Sequence, residues 1–524
     1  MVQDGPPASN EPGNAATNGS SAPIDDLEEL ATASANLHGA GLSLGRRFAL
    51  QGYLKDHGTV LLESHGRFAS DPQLSVSSAG EWFLDNFHVI QEALRQVEED
   101  LPPHFYLELP TVEIASGERC PRIRAVAREI ISWSNDYLVF DQVRRYVRVY
   151  QGITSLTMGE LWALPSMLRL GILEDLTQAA AEVTGLDHAV AMGFGQDRPR
   201  SRQELPEDRI IANCILSLRG LAAHDWNGFF ESVSQVDQAL CGDPQGVYAR
   251  MDFETRDRYR KVVEELAKAK GQDEKSVAEA AVQLAKKEAG DGQPDSHVGY
   301  YLVGEGRADL ETCLGYRPGL RERLKRSVVR HPTEVYLGGI ALLTALFLVA
   351  LLGYAWSAGG TSLRLLSVVL VALLPATAAA VHVVNWLVTH ALTPSRLPAM
   401  DCEYGIPAEG RAIVLLPTMF TDEDEVRALL RQLERHYLGN PDPSLSFALL
   451  TDFADAPQKH MPGDDQLIEQ AVQGIRELNG KYGGSSGTAF YLFHRERQWN
   501  GSEGYWMGWE RKRGKLGDFN RLLL

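Results

Sequence analysis

The sequence predicts a multidomain protein: a mainly α N-terminal region, a two-helix transmembrane hairpin, and a C-terminal α/β region built on a parallel sheet. Three observations predict it. Apolar residues recur at three- and four-residue steps over residues 25–330. Residues 335–356 and 365–389 contain no Asp, Glu, Lys or Arg. After residue 400, apolar runs of strand length alternate with amphipathic helical patterns. A chain of 524 residues is also too long for one hydrophobic core.

Composition narrows the function classes. With 44% apolar and 23% charged residues the chain is mostly folded and water-facing, so any membrane portion is local. A formal charge of −18 repels phosphate backbones, and no nucleic-acid partner is expected. The five cysteines are odd in number, scattered and without a CxxC, which fits neither a disulfide framework nor a zinc site. Reduced thiols in a cytosolic setting are the expectation.

In chain order, residues 1–24 are rich in Gly, Ala, Ser, Asn and Pro. They bury too little apolar surface to offset ordering entropy and are expected to be disordered, and they lack the pattern of a secretory signal. Residues 25–330 form the helical, cytosolic region. Phe83, Phe87, Ile90 and Leu94 make one stripe of a helix over Trp82–Leu94, stopped by Leu101-Pro102-Pro103. Leu156, Leu161, Leu164, Leu168 and Ile172 mark a second core-facing helix, in which Pro165 predicts a kink or a new first turn. From Leu266 the pattern is that of a solvated amphipathic helix, closed by Gly290-Asp291-Gly292.

At about 1.5 Å per residue, 335–356 and 365–389 each cross a hydrocarbon layer of about 30 Å. The alternative is a buried helical hairpin of a soluble domain. His382 and Asn385 inside the second span either line a pathway or hydrogen-bond a neighbouring helix. Arg317, Arg321, Arg323, Lys325, Arg326 and Arg330 precede the first span, whereas the loop 357–362 carries no charge. That asymmetry predicts a multi-pass protein with both soluble regions facing the cytosol.

Residues 400–524 read as strand Ala412–Leu416 ending at Pro417, helix capped by Thr421 with Asp424, strand Leu445–Leu450, helix Leu467–Leu478 and strand Ala489–Phe493. Val426, Leu429, Leu430, Leu433 and Tyr437 give the first helix its apolar stripe, and Gly439-Asn440-Pro441 ends it. Such alternation gives a parallel sheet, whose ligands bind at the carboxyl ends of the strands. Asp452 and Asp455 stand at that edge. Either they accept hydrogen bonds from a nucleobase or ribose, or hold a hard cation on a diphosphate, or they cap the next helix. The run Glu510–Lys515 either faces phosphates, with Gly514 allowing close approach, or is a solvated basic patch. It is not a Walker A loop, because Leu516 replaces the required hydroxyl. Trp499, Tyr505, Trp506 and Trp509 suit sugar rings or a core, with at least two expected in the core. Gly193-Phe194-Gly195 and Gly304-Glu305-Gly306 follow no apolar strand and are not dinucleotide fingerprints, and none of the 14 histidines lies in an HExxH motif, so no metal ligand is predicted.

The strand with Pro417-Thr418, the turn Asp452-Phe453-Ala454-Asp455 and the segment Gly514-Lys515 to Phe519-Asn520 resemble the first landmarks of an inverting, GT-A type family-2 glycosyltransferase. Pro417-Thr418-Met419, His436-Tyr437, Asn440–Pro443, Phe447–Pro457, Phe490–His494 and Trp506–Leu516 resemble the cyclic β-1,2-glucan synthases. The upstream blocks Glu81–His88, Leu156–Leu170 and His297–Gly306 do so too. The resemblance implies a bacterial inner-membrane enzyme that uses UDP-glucose on the cytosolic side to initiate, extend and cyclise a protein-linked glucan. Its partners would be the lipid bilayer, the nucleotide sugar and the glucan chain. By the same resemblance Asp452 would contact the uridine with Asp455 beside it, Pro417 and Thr418 would line the nucleotide loop, and Lys515 would approach the diphosphate.

The sequence departs from the family pattern at its end. There the Gly-Lys and Asn segment is followed by a DxD motif, an acidic general base and a basic-aromatic acceptor motif, and none of these is matched before Leu524. Mg or Mn is implied by the resemblance, with its DxD ligands absent, and no catalytic residue is assigned. The expectation is an N-terminal fragment of a synthase, its glycosyltransferase domain at 400–524 truncated, inactive alone and with a separately encoded remainder of the synthase as a candidate partner. The alternative is a non-catalytic membrane scaffold or partner-binding subunit retaining a remnant domain.

Overall fold

The protein is described by a computed structural model covering residues 24–39, 43–44, 50–113, 119–186, 205–287, 294–392, 394, 396–482 and 489–524. It divides into two compact units, residues 1–398 and 399–524. Of the segment expected to be disordered, Ile24 already begins a helix that runs to Gly39; residues 1–23 lie outside the described residues, as do Gly193-Phe194-Gly195 and Gly290-Asp291-Gly292.

The first unit is helical around one continuous core, with a small antiparallel sheet of Ser43–Leu44, Pro110–Glu113 and Arg119–Pro121. The single helix expected over Trp82–Leu94 is two, α1 (Ser78–Asp85) and α2 (Phe87–Asp100). Asn86 breaks it, because its Nδ2 donates to the Trp82 carbonyl at 2.8 Å and competes with the helical ladder. The stripe survives the break, with Phe83 and Ile90 fully buried.

Helix α3 (Arg122–Trp133) packs on α4 (Met158–Thr184), which runs through Pro165 without a new first turn. Its start lies at Thr157, whose hydroxyl accepts from the Glu160 amide while Glu160 accepts from the Thr157 amide, a capping box. The amphipathic stretch beyond Leu266 is likewise divided. Helix α5 (Phe253–Lys270) ends at Gly271, where φ is 63°, and α6 (Glu274–Lys287) follows. It is less solvated than its composition suggests, since Val277, Ala278, Ala281, Val282 and Ala285 are buried.

After α7 (Leu320–Arg330) come α8 (Pro332–Ser357) and α9 (Ser362–Ala391), both long and apolar enough to cross a membrane. Only 6% and 17% of their most apolar stretches are buried, whereas the core helix of a soluble domain is mostly buried. Tyr336 Oη donates to Asn385 Oδ1 at 2.9 Å, joining the two helices as expected of a polar group facing a neighbour. His382 is exposed on the hairpin.

In the second unit β1 (Ala412–Phe420), α10 (Glu423–Gly439), β2 (Leu445–Phe453), α11 (Asp464–Tyr482) and β3 (Phe490–Arg495) alternate. The strands form a parallel sheet, as the sequence predicts, and their order is β1-β2-β3. Strand β1 continues past Pro417, because on an edge strand a residue without N–H can leave the ladder facing solvent. The cap of α10 is Asp422 rather than Thr421: its carboxylate accepts from the Glu425 amide at 2.9 Å. Strand β2 extends to Phe453, which puts Asp452 inside the strand rather than in the following loop. Val426, Leu429 and Leu433 of α10 pack with Phe447, Leu449 and Phe490 in the core.

A hairpin of β4 (Gln498–Asn500) and β5 (Tyr505–Met507) precedes α12 (Arg511–Leu523). It corrects the reading of the aromatic cluster. Trp499, Tyr505 and Trp509 are about half exposed and Trp506 is half-buried, because a two-stranded ribbon offers one face to the domain and leaves the other open.

Candidate functional site

The carboxyl edge of the sheet gathers its charges by register. Met419, Asp452 and Arg495 lie side by side on the three parallel strands. Partners in register point to the same face, so Asp452 meets Arg495. Arg495 Nε donates to Asp452 Oδ1 at 2.8 Å and Nη2 to Oδ2 at 3.2 Å. From α12, Lys515 Nζ lies 2.9 Å from Asp452 Oδ2 and donates to the Thr418 carbonyl at 2.6 Å. Asp452 and Lys515 are 1% and 3% exposed. A buried charge of this kind is tolerable only when paired, and here two cations match one carboxylate.

Arg495 also fixes the chain between β5 and α12. Its Nη2 donates to the carbonyls of Trp509 (3.1 Å) and Arg511 (3.3 Å), and its Nη1 donates to Asp518 at 2.7 Å. Although burial opposes it, the hydrogen bonds that the guanidinium donates to Asp452 and Asp518 hold its pKa above its usual value. Within this turn Glu510 and Arg511 have φ of 51° and 45°, a left-handed backbone that non-glycine residues rarely adopt. At Gly508 a Cβ would lie 2.6 Å from Asp452 Oδ2, so only glycine lets the turn approach the carboxylate this closely.

Around this centre the rim is more open. Asp455 accepts from Arg511 Nη2 at 2.8 Å, Arg513 pairs with Glu510 at 3.1 Å, and Lys512 is exposed. Ala456 and Trp506 exchange backbone hydrogen bonds of 2.9 Å, tying the hairpin to the loop that carries Asp455. Beneath, Arg497 donates to the Ala454 carbonyl (2.6 Å) and to both oxygens of Asp464 (2.6 and 3.1 Å). Burial would raise the Asp464 pKa, but the Arg497 hydrogen bonds, the Met461 amide and the Arg497 charge together outweigh it and lower it. His494 lies between Phe420 and Phe453, with Nδ1 at 2.9 Å from Thr451 Oγ1. Burial pushes its pKa down to about 4, so the ring is neutral near pH 7.

The structure therefore brings Thr418, Asp452 and Lys515 into contact, with Asp455 on the rim and Pro417 next to Thr418 on β1. Of the basic run, Arg511 and Lys512 are exposed while Lys515 is buried. Sequence reasoning missed Arg495 and Arg497. The available signal for Arg495 was a cation ending an apolar strand, where a central strand already carries an aspartate. A Mg or Mn ion does not fit these residues: the buried carboxylate is already matched by two cations that repel a third positive charge. Among the described residues, no group of three or more His, Cys, Asp or Glu could hold a metal.

No protein-family model matches the chain. It is 31% identical to cyclic beta-(1,2)-glucan synthase NdvB of Rhizobium meliloti (strain 1021) over 572 aligned residues, which cover 95% of this chain. The similarity supports the cyclic β-1,2-glucan synthase family for this chain, as the sequence blocks suggest. The chain spans 20% of the length of that relative.

Proposed function

We propose that this chain is the sugar-nucleotide-binding part of a membrane-bound glycosyltransferase that moves glucose from UDP-glucose into cyclic β-1,2-glucan. On this reading the second unit is the front of a GT-A type domain. Helices α8 and α9 anchor it in a bacterial inner membrane, with both soluble regions on the cytosolic side. The carrying observation is the meeting of Thr418, Asp452 and Lys515 at the carboxyl edge of a parallel sheet, where such folds take nucleotides.

The residues divide the work by exposure. Pro417, Thr418 and Asp455 line the uridine side. Asp452, with both oxygens engaged, sets Arg495 and Lys515, and through them the Thr418 carbonyl and the turn before α12. The first turn of α12 carries the exposed Arg511 and Lys512 and has no side-chain cap, so its dipole and cations favour a diphosphate. The exposed aromatics of the β4–β5 hairpin offer apolar faces to the glucan.

The test is calorimetric titration of UDP into the detergent-solubilised full chain. Binding is expected, with Arg511→Ala weakening it by about tenfold, the value of one charge-assisted hydrogen bond. A cooperatively unfolding chain with no affinity for UDP would leave the scaffold reading in its place.

A further inference from the structure

Helix α7 exposes the face that a water-soluble helix buries. Leu320, Leu324 and Val328 recur at four-residue steps and form one stripe, with Leu320 87% and Leu324 67% exposed and Val328 half-buried. The face turned to the protein is the charged one. Arg326 donates to both oxygens of Glu311 (2.8 and 2.5 Å) and pairs with Glu322, which accepts from Tyr316 Oη at 2.7 Å. The stripe is flanked by Arg321 and Lys325 on one side and Arg323 and Arg330 on the other, all exposed and in no ion pair among the described residues. Only His331, at φ −121° and ψ 60°, separates α7 from the membrane-length helix α8.

We propose that α7 lies in the headgroup region of an anionic bilayer, its leucines at the acyl boundary and its four free cations on lipid phosphates. Apolar burial and charge attraction then act together, as in interfacial amphipathic helices with basic flanks. The polar face, already satisfied by Glu311 and Tyr316, holds the helical region against the membrane surface. The occupant is lipid rather than protein because the stripe begins one helix upstream of a bilayer-length segment and carries an unpaired positive charge matching anionic headgroups. The inference rests on α8 crossing the bilayer.

The full chain, with the exposed Cys241, Cys313 and Cys402 replaced by serine, is spin-labelled at Leu324→Cys or at Val349→Cys in α8. It is then reconstituted in vesicles of phosphatidylglycerol and phosphatidylcholine, or of phosphatidylcholine alone. In anionic vesicles the label at 324 should be more accessible to oxygen than to an aqueous nickel chelate. That preference should reverse in phosphatidylcholine and in the R321A/R323A/K325A/R330A variant. Three results overturn the proposal: a label at 324 in water while that at 349 is in hydrocarbon, equal burial at 324 without the charges, or shielding at 324 from both quenchers in detergent, which assigns the stripe to a protein partner. A label at 349 in water overturns the spanning reading as well.

Discussion

Both units bury ion pairs, and they do so in different surroundings. In the helical unit Arg122, Arg124 and Arg128 of α3 meet Glu160, Glu174 and Asp175 of α4, forming a seam between two regular helices. In the second unit Asp452, Arg495 and Lys515 come from two strands and a helix, beside a left-handed turn and exposed cations. The chemistry is the same, but the first set fastens two continuous helices while the second fixes the loops around an open edge. Burial of charge alone therefore does not mark a binding site; strained backbone and exposed cations at the rim distinguish one from the other.

The largest effect should come from breaking the helical seam. Glu160→Ala leaves the fully buried Arg122 unmatched and should cost about 3–5 kcal/mol in thermal unfolding, whereas Arg122→Met with Glu160→Leu should recover most of it. If the seam bound a ligand instead, the double variant would lose a measurable function and not only stability. At the sheet edge, Gly508→Ala forces a Cβ against Asp452 and should cost about 1–3 kcal/mol, read from the same melts.

The next comparison is by pH. His494 binds its proton near pH 4 when folded and near 6.5 when unfolded, so the unfolded state takes up more protons between those values. It thus contributes a stability that rises with pH from about 4 to 6.5. Glu274, capping the Met158 amide at 2.8 Å, is raised to about 7 by burial and has the opposite sign, stabilising less as pH rises from 4.5 to 7. His494→Gln should flatten the rise and Glu274→Gln the fall in stability–pH profiles; equal slopes in both variants and the parent would contradict the assignment. The smallest effect is Asn385→Ala, which loses one inter-helix hydrogen bond worth about 0.6 kcal/mol in a membrane setting, measured by unfolding in mixed micelles.

Much of this was legible in the sequence where periodicity alone decides. The uncharged runs gave α8 and α9 to within three residues, and alternating apolar runs gave the parallel sheet. What escaped were local competitions and long-range pairings. The Asn86 side chain splits a helix whose apolar stripe reads as continuous, and the proline in β1 falls on a strand that has β2 as its one partner among the described residues. Asp452 and Lys515 were visible as candidates at a strand end and in a basic run. Their contact was not, since it depends on where α12 folds back, and Arg495 became a partner only through strand register.

The central claim is that the carboxyl edge of β1, β2 and β3 takes a sugar nucleotide. Photolabelling the membrane-reconstituted chain with an azido-uridine analogue of UDP-glucose, followed by peptide mass spectrometry, tests it directly. Attachment within residues 417–422, 452–457 or 508–515, suppressed by excess UDP, is predicted. UDP-sensitive attachment confined to the helical unit, or none in a folded chain, would contradict it.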